Sequence, residues 1–332
     1  MRFVPSLWDR ASERRNILRR IFEETGDALL SYAHVRRIDP RGLREKLSIP
    51  KTVNLWIDSS GFQIGNMITG RSNIFDVYEF QNSCSQFAIS LDIPGDVQET
   101  YRNAILTLAY SKGFAMSPKI YAVATSDGST DHLTDLVQKY DALDFDGIAV
   151  GALIPYGSLR LEQLALLLTT VGRATSKPIH ALGIGGYDAL YVLAAAGVAT
   201  FDSSKFLVGA KWRIYHLPRG GMIYVGDHYG SKTTIRRRQT RAGALPCLCP
   251  ACLFAKRIEF FQEPKAESVA MLALHNYYMM KNEVQLIKLA MDEGWFHYLF
   301  LDRAKKSPGL RRAMGPLGFR SLGKIRDGFL SK

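Results

Sequence analysis

The sequence predicts an α/β architecture: a (β/α)8 barrel of the TIM type, with a cysteine-bearing insertion and a long C-terminal helix. Three observations predict it. From residue 53 to residue 201, short apolar runs alternate with amphipathic stretches of helical period, the rhythm of parallel βαβ units. The runs are apolar throughout, as strands buried on both faces are. Five of them end in a polar or glycine-rich cluster: Val53 to Asp58, Phe87 to Asp92, Ile148 to Gly151, Ile179 to Gly183 and Val198 to Ser204. In a barrel, the C-terminal ends of the strands form the rim that carries the active site. A doubly wound open sheet also binds ligands at strand ends, but a ring gathers five such ends in one place. Asp202 is the most valuable residue of the set.

In chain order, residues 11–25 have the period of an amphipathic helix, with Ile17, Leu18, Ile21 and Phe22 among Arg and Glu. Leu29–Ala33 reads as a first strand, and Pro40 to Lys46 as a short helix. Strands are then expected at Val53–Ile57, Gln86–Leu91, Lys119–Ala124, Asp146–Val150, Pro178–Leu182 and Val198–Phe201. Helices are expected at 97–112, 130–142, 158–174 and 186–196. These elements put most of the barrel in residues 1–212. Residues 213–246 break the rhythm and contain Lys232, Arg236, Arg237, Arg238 and Arg241, an exposed basic insertion. Glu267 to Asp292 reads as one long helix, so 213–292 forms the basic insertion, a cysteine subdomain and that helix. From Arg303 the chain is rich in Lys and Arg and poor in core-forming residues. Residues 293–332 therefore read as a basic tail, disordered or in contact with backbone phosphates.

The 332 residues carry a net charge of +12. An excess of that size favours an anionic partner, above all nucleic acid; the plain alternative is a basic surface without a role. Residues 1–10 lack the apolar core of a secretory leader. No stretch approaches the length of a membrane span. Of four cysteines, three fall within six residues, which points to a metal in a reducing, cytoplasmic setting rather than to disulfides. Cys84 stands alone and reads as a small buried hydrophobe.

Cys247, Cys249 and Cys252, with His275 on the long helix, can close a tetrahedron of three sulfurs and one nitrogen. That donor set suits zinc. Four protein ligands leave no open position, so the expected zinc is structural and pins the basic insertion to the helix.

Taken together, Asp58-Ser-Ser-Gly-Phe-Gln63, Gly147-Ile-Ala-Val-Gly151, His180-Ala-Leu-Gly-Ile-Gly185, Phe201-Asp-Ser203 and the Cys-x-Cys-x-x-Cys…His signature resemble the tRNA-guanine transglycosylases over roughly residues 30–292. Phe201-Asp-Ser-Ser-Lys-Phe206 looks most like the archaeosine-type branch, which has a DNA-modifying offshoot. The resemblance implies a (β/α)8 barrel with a zinc-bearing insertion. It implies exchange of a guanine in tRNA or DNA for a free 7-deazaguanine, with tRNA slightly favoured. It also implies a homodimer formed near the zinc region. Retention at C1′ requires two inversions, hence a carboxylate nucleophile and a proton-handling partner. By resemblance these are Asp202 and Asp58. Asp92 is placed to accept from the N1–H and 2-amino edge of the base, with Gly151, Ala152, Gly183, Phe62 and Ser59 around the base slot. The basic residues 232–241 clamp flanking phosphates. His180 reads as a packed core histidine.

The sequence also departs from the family pattern. Ser60 stands where Asp-Ser-Gly-Gly has its first glycine, Ala124-Thr125-Ser126 where Val-Gln-Gly is usual, and Gly151-Ala152 where Gly-Gly is usual. The residues after 292 are too few for the large RNA-binding domains of archaeosine enzymes. Two rival readings stay open: a zinc-containing nucleic-acid-binding barrel without catalysis, and a small-molecule enzyme that cradles phosphate on Gly183-Ile-Gly-Gly186.

Overall fold

The computed structural model describes residues 1–7, 15–61, 74–157, 160–225, 247–263 and 265–319. Eight parallel strands close into a barrel in sequence order. They are β1 (Arg2–Leu7), β2 (Asp27–Ser31), β3 (Asn54–Asp58), β4 (Phe87–Ile89), β5 (Lys119–Ala124), β6 (Gly147–Val150), β7 (Ile179–Ala181) and β8 (Thr200–Ser203). Helices alternate with the strands, among them Arg15–Thr25, Val97–Ser111, Thr130–Asp141, Leu161–Ala174 and Tyr187–Ala195. The sheet closes through β1, which lies between β2 and β8 with Phe3 opposite Phe201 and Val4 opposite Asp202.

That closing strand corrects the sequence reading, which began the barrel at Leu29. Arg2 and Pro5 interrupt the run, leaving too few apolar residues to register as a strand. Its neighbours specify it instead: Phe3 stacks on Phe201 with ring centroids 5.2 Å apart. The second strand also begins and ends two residues early, because Tyr32 and Ala33 belong to a short helix, Tyr32–Val35. The helix Ile74–Cys84 was not anticipated. It carries Gln81, whose buried Nε2 donates to the carbonyls of Ile57 (3.0 Å) and Ile89 (2.8 Å) and so ties the ends of β3 and β4 together.

Alternate residues on each strand face opposite sides. Val4, Leu29, Trp56, Ile89, Tyr121, Val123 and Ala149 fill the barrel interior, while Phe3, Leu30, Leu55, Ile57, Ala122 and Ile148 pack outward against the helices. Trp56 dominates the interior, stacked on Phe87 at 3.9 Å. Its Nε1 donates to Asp27 Oδ1 (3.1 Å), and Arg2 pairs with Asp27 Oδ2 (3.2 Å). This layer seals the N-terminal end of the barrel and leaves the opposite rim for chemistry.

Beyond β8, the helix Lys205–Lys211 leads to an antiparallel hairpin, β9 (Ile214–His216) and β10 (Met222–Tyr224). The long helix Ala266–Asp292 packs on both the helix Lys205–Lys211 and β9. Asn276 Oδ1 accepts from the His216 amide (3.0 Å), and its Nδ2 donates to the Ile214 carbonyl (2.9 Å). The expected tail is different from its reading. Phe296–Lys306 and Pro308–Ala313 are helices, and Leu310, Ala313 and Met314 are buried. The second of them packs on the helix Leu161–Ala174. Ser307 caps it by accepting from the Leu310 amide (3.2 Å), and Arg303 Nε pairs with Asp188 Oδ1 (2.9 Å). A basic composition here coats the outer face of helices whose inner face is apolar. Among the described residues, no helix is long and apolar enough to cross a membrane.

Candidate active site and metal centre

A cavity of 490 Å³ opens at the C-terminal rim, and Asp58, Asp92, Asp202, Gly151, Ala152 and Gly183 all line it. Five strand ends predicted to converge therefore do so. Asp202 lies near the end of β8 and is almost completely buried. Its Oδ1 accepts from the Gly183 amide at 2.7 Å. Gly183 has φ 68°, a left-handed conformation that glycine adopts freely and that turns this N–H toward the carboxylate. Among the described residues, Asp202 Oδ2 has no hydrogen-bond partner.

Asp58 ends β3. Burial, and then the charges of Asp92 and Asp202, push its carboxyl up to about 7, against the pull of the Ser59 and Ser60 amides that donate to it. Asp92 follows β4 and is 6% exposed. Burial pushes it up to about 6, opposed by its own backbone amide and the Ser59 hydroxyl. The neighbouring carboxylates thus make Asp58 harder to ionise than its burial alone does. Gly61 permits the crowding: a Cβ there would lie 2.1 Å from both the carbonyl and Oδ1 of Asp92.

Ser59 is fully buried, with its hydroxyl 3.4 Å from Asp92 Oδ1. Its neighbour Ser60 lines the cavity instead, together with Ser31 and Ser6. Sequence reasoning missed all three serines as site residues: Ser60 stood out only as a departure within the Asp58–Gln63 motif, and nothing in the local pattern of Ser6 or Ser31 marks them. Ser60 has φ 68° and Ala152 has φ 57°. Both stand where the family pattern carries glycine, and each left-handed non-glycine costs about 1–2 kcal/mol. Ser60 recovers part of that cost, since its Oγ accepts from the Ala33 amide (2.9 Å) and pairs with the Ser31 hydroxyl. Ala152 makes no such bond, and its methyl is exposed toward the cavity. Phe62, Lys232, Arg236, Arg237, Arg238 and Arg241 lie outside the described residues.

Cys247, Cys249, Cys252 and His275 come together with their ligand atoms within 4.8 Å of one another. His275 Nδ1 is 3.4 Å from Cys249 Sγ and 3.2 Å from Cys252 Sγ. These spacings match the edges of a tetrahedron around a metal bound at about 2.0–2.3 Å. His275 Nε2 donates to the His216 carbonyl at 2.7 Å, which leaves Nδ1 as the lone-pair nitrogen facing the sulfurs. Tyr215 stacks on the imidazole at 3.7 Å and reaches Cys252 Sγ with its hydroxyl (3.2 Å). The cluster therefore fits a tetrahedral metal with every position filled by protein.

Comparison with known proteins agrees with this geometry. Residues 96–309 match the family model TGT, described as queuine tRNA-ribosyltransferase. The chain is similar to the tRNA-guanine(15) transglycosylase of Thermococcus kodakarensis, 27% identical over 272 residues, which cover 77% of this chain and 43% of the relative. It is similar to the enzyme of that name from Pyrococcus furiosus at 27% over 270 residues, with the same shares covered. It is also similar to that of Methanococcus maripaludis at 27% over 316 residues, covering 89% of this chain and 44% of the relative. The chain thus spans less than half the length of these relatives. A barrel whose strand ends bring together Asp58, Asp92 and Asp202, a Cys3His cluster, and a family match over more than half the chain lead to one conclusion: this chain belongs to the TGT, or queuine tRNA-ribosyltransferase, family.

Proposed function

We propose that this protein is a pentosyltransferase that exchanges a guanine base in a nucleic acid, tRNA ahead of DNA, for a free 7-deazaguanine through a covalent bond to Asp202. The observation that carries the reading is the pairing of two carboxyls in one cavity. Asp202 has one oxygen held by Gly183 and the other without a partner among the described residues, while Asp58 is pushed up to about 7. The first group suits a nucleophile, and the second suits an acid that still holds its proton near neutrality.

Asp202 Oδ2 attacks C1′ of the target nucleotide. The C1′–N9 bond breaks, its electron pair passes to the departing guanine, and Asp58 supplies the proton that neutralises it. The incoming base then gives its ring N–H proton to Asp58, its nitrogen attacks C1′, and Asp202 leaves as a carboxylate. The two inversions restore the original face. Asp92 holds the N1–H and 2-amino edge, and Gly151, Ala152 and Gly183 line the slot. A base in a folded nucleic acid must leave its stack to enter, and the basic residues 232–241 hold the flanking phosphates. The metal of the Cys3His cluster is zinc, which braces the fold when bound. The setting is the cytoplasm, and the working form is a homodimer.

The test is incubation with labelled guanine and either a tRNA pool or duplex DNA, followed by counting label in the polymer. Incorporation into tRNA alone is expected. Label in DNA alone reassigns the substrate. No label in either, from zinc-loaded protein, overturns the exchange reading.

A further inference from the structure

The proposed exchange leaves a histidine inside the barrel without a task. His180, on β7, is fully buried. Its ring lies nearly parallel to Trp56, with centroids 4.9 Å and planes 23° apart, and edge-on to Tyr121. Both of its nitrogens face β8. Nδ1 is 2.8 Å from Thr200 Oγ1, and Nε2 points at Asp202 Oδ1 from 3.5 Å without forming a hydrogen bond. Thr200 and Asp202 are two residues apart and so project from the same face of their strand. Register fixes the relation, because His180 sits opposite Thr200 in the β7–β8 ladder.

We propose that His180 is a positioning residue for Asp202, held by Thr200 so that the ring carries a proton on Nε2 and aims it at Oδ1. A neutral imidazole has one donor and one acceptor. If the proton sat on Nδ1, the Nε2 lone pair would face a carboxylate oxygen inside a low-dielectric barrel, two acceptors with nothing between them. The other tautomer turns that repulsion into attraction and lets the Thr200 hydroxyl donate to Nδ1. A separation of 3.5 Å is long, but catalytic hydrogen bonds often tighten only in the substrate complex.

The inference rests on the nucleophile role given to Asp202, and it says which half of the exchange His180 serves. Oδ1 then faces two donors, the Gly183 amide and His180 Nε2–H, while Oδ2 stays free to bond C1′. Donors on Oδ1 withdraw charge from the carboxylate. They do not assist its attack, but they stabilise it when it leaves. In the second half-reaction the incoming base loses its proton to Asp58 and its nitrogen bonds C1′. The C1′–Oδ2 bond breaks, and the electron pair returns to a carboxylate whose Oδ1 is already met by donors. His180 therefore speeds breakdown of the glycosyl-enzyme more than its formation.

Two measurements on the full, zinc-loaded chain test this. The first compares wild type with His180→Phe, which keeps a ring against Trp56 but removes both nitrogens, and His180→Gln, which restores a donor. The expected result for His180→Phe is a fall in kcat on the order of 10- to 100-fold, the loss of one weakly placed donor. The kcat/KM for nucleic acid should hold, so that KM falls along with kcat, and the fraction of enzyme trapped as adduct during turnover should rise. His180→Gln should recover part of kcat. A parallel fall of kcat and adduct, or no change in kcat, overturns the proposal. The second measurement is a long-range 15N–1H spectrum of histidine-labelled protein, with His180 assigned by its loss in His180→Gln. An Nε2–H tautomer whose signal moves in Asp202→Asn is expected, and an Nδ1–H tautomer overturns it. The spectrum needs no turnover, so a wild type that neither exchanges bases nor forms adduct sinks the proposed function while the tautomer still decides the placement of His180.

Discussion

The carboxylate cavity and the Cys3His cluster are each built from polar side chains sunk into an apolar frame, and they solve opposite problems. In the cluster, four ligand atoms face one another within 4.8 Å and the imidazole's second nitrogen is already bonded to the His216 carbonyl. Every donor points inward and nothing is left for a substrate. In the cavity, Asp58, Asp92 and Asp202 face 490 Å³ of open space and repel one another. The closed arrangement suits stability and the open one reactivity. One path joins them: the helix Ala266–Asp292 carries His275 and packs on the helix Lys205–Lys211, which begins two residues after the end of β8 at Ser203.

The comparison breaks most visibly at the cluster. Cys249→Ala should lower stability by about 4 kcal/mol or more, as loss of a structural metal ligand does. The folded fraction that survives should exchange base at a rate close to wild type. Melting curves, metal content and activity per folded molecule check this together; full stability without metal would show the cluster to be incidental.

At the cavity the effect should have the opposite sign. A carboxyl whose folded-state pKa is raised contributes stability that is fully present below the ordinary carboxylate range. That stability is lost as pH rises through the folded value, about 6 for Asp92 and about 7 for Asp58. Asp58→Asn removes the cost of ionising there. It should raise Tm over wild type at pH 8, with the gap closing toward pH 4, while turnover falls about 10²- to 10⁴-fold. For wild type, exchange should decline above about pH 7, where the acid of the first step is lost. An unchanged Tm difference across that range would contradict the burial argument.

The finest distinction lies between the two left-handed residues. Ala152→Gly should stabilise the fold by about 0.5–1 kcal/mol, since it relieves φ 57° and gives up no bond. Ser60→Gly should gain nothing or lose stability, because it also removes the acceptor for the Ala33 amide. Urea unfolding of the two variants side by side measures the difference.

Much of this was legible in the sequence because the signals are local. Strands buried on both faces show as apolar runs, and their ends show as Asp58, Asp92, Gly151, Gly183 and Asp202. Three cysteines in six residues and a histidine on a helical stripe declare a cluster. What stayed hidden is set by distant partners. β1 is specified by Phe201 across the closing seam rather than by its own pattern. Ser31 enters the site through a hydroxyl contact with Ser60, 29 residues away. His180 reads as packed core and is fully buried, yet its two nitrogens are aimed at Thr200 and Asp202, which no pattern in the 178–182 run reveals. The helices after residue 296 present basic outer faces that conceal Leu310 and Met314 beneath them.

Everything proposed for the cavity turns on a covalent bond between Asp202 and C1′. Wild-type protein is mixed with the nucleic acid that the exchange assay selects, free base is removed so that the reaction cannot reverse, and the mixture is run on a denaturing gel. A band shifted by the mass of the polymer is expected for wild type and none for Asp202→Asn, which should still bind nucleic acid and melt near the wild-type temperature. A shifted band that persists in Asp202→Asn, or substantial exchange by that variant, would contradict it and move the nucleophile to Asp58 or Asp92.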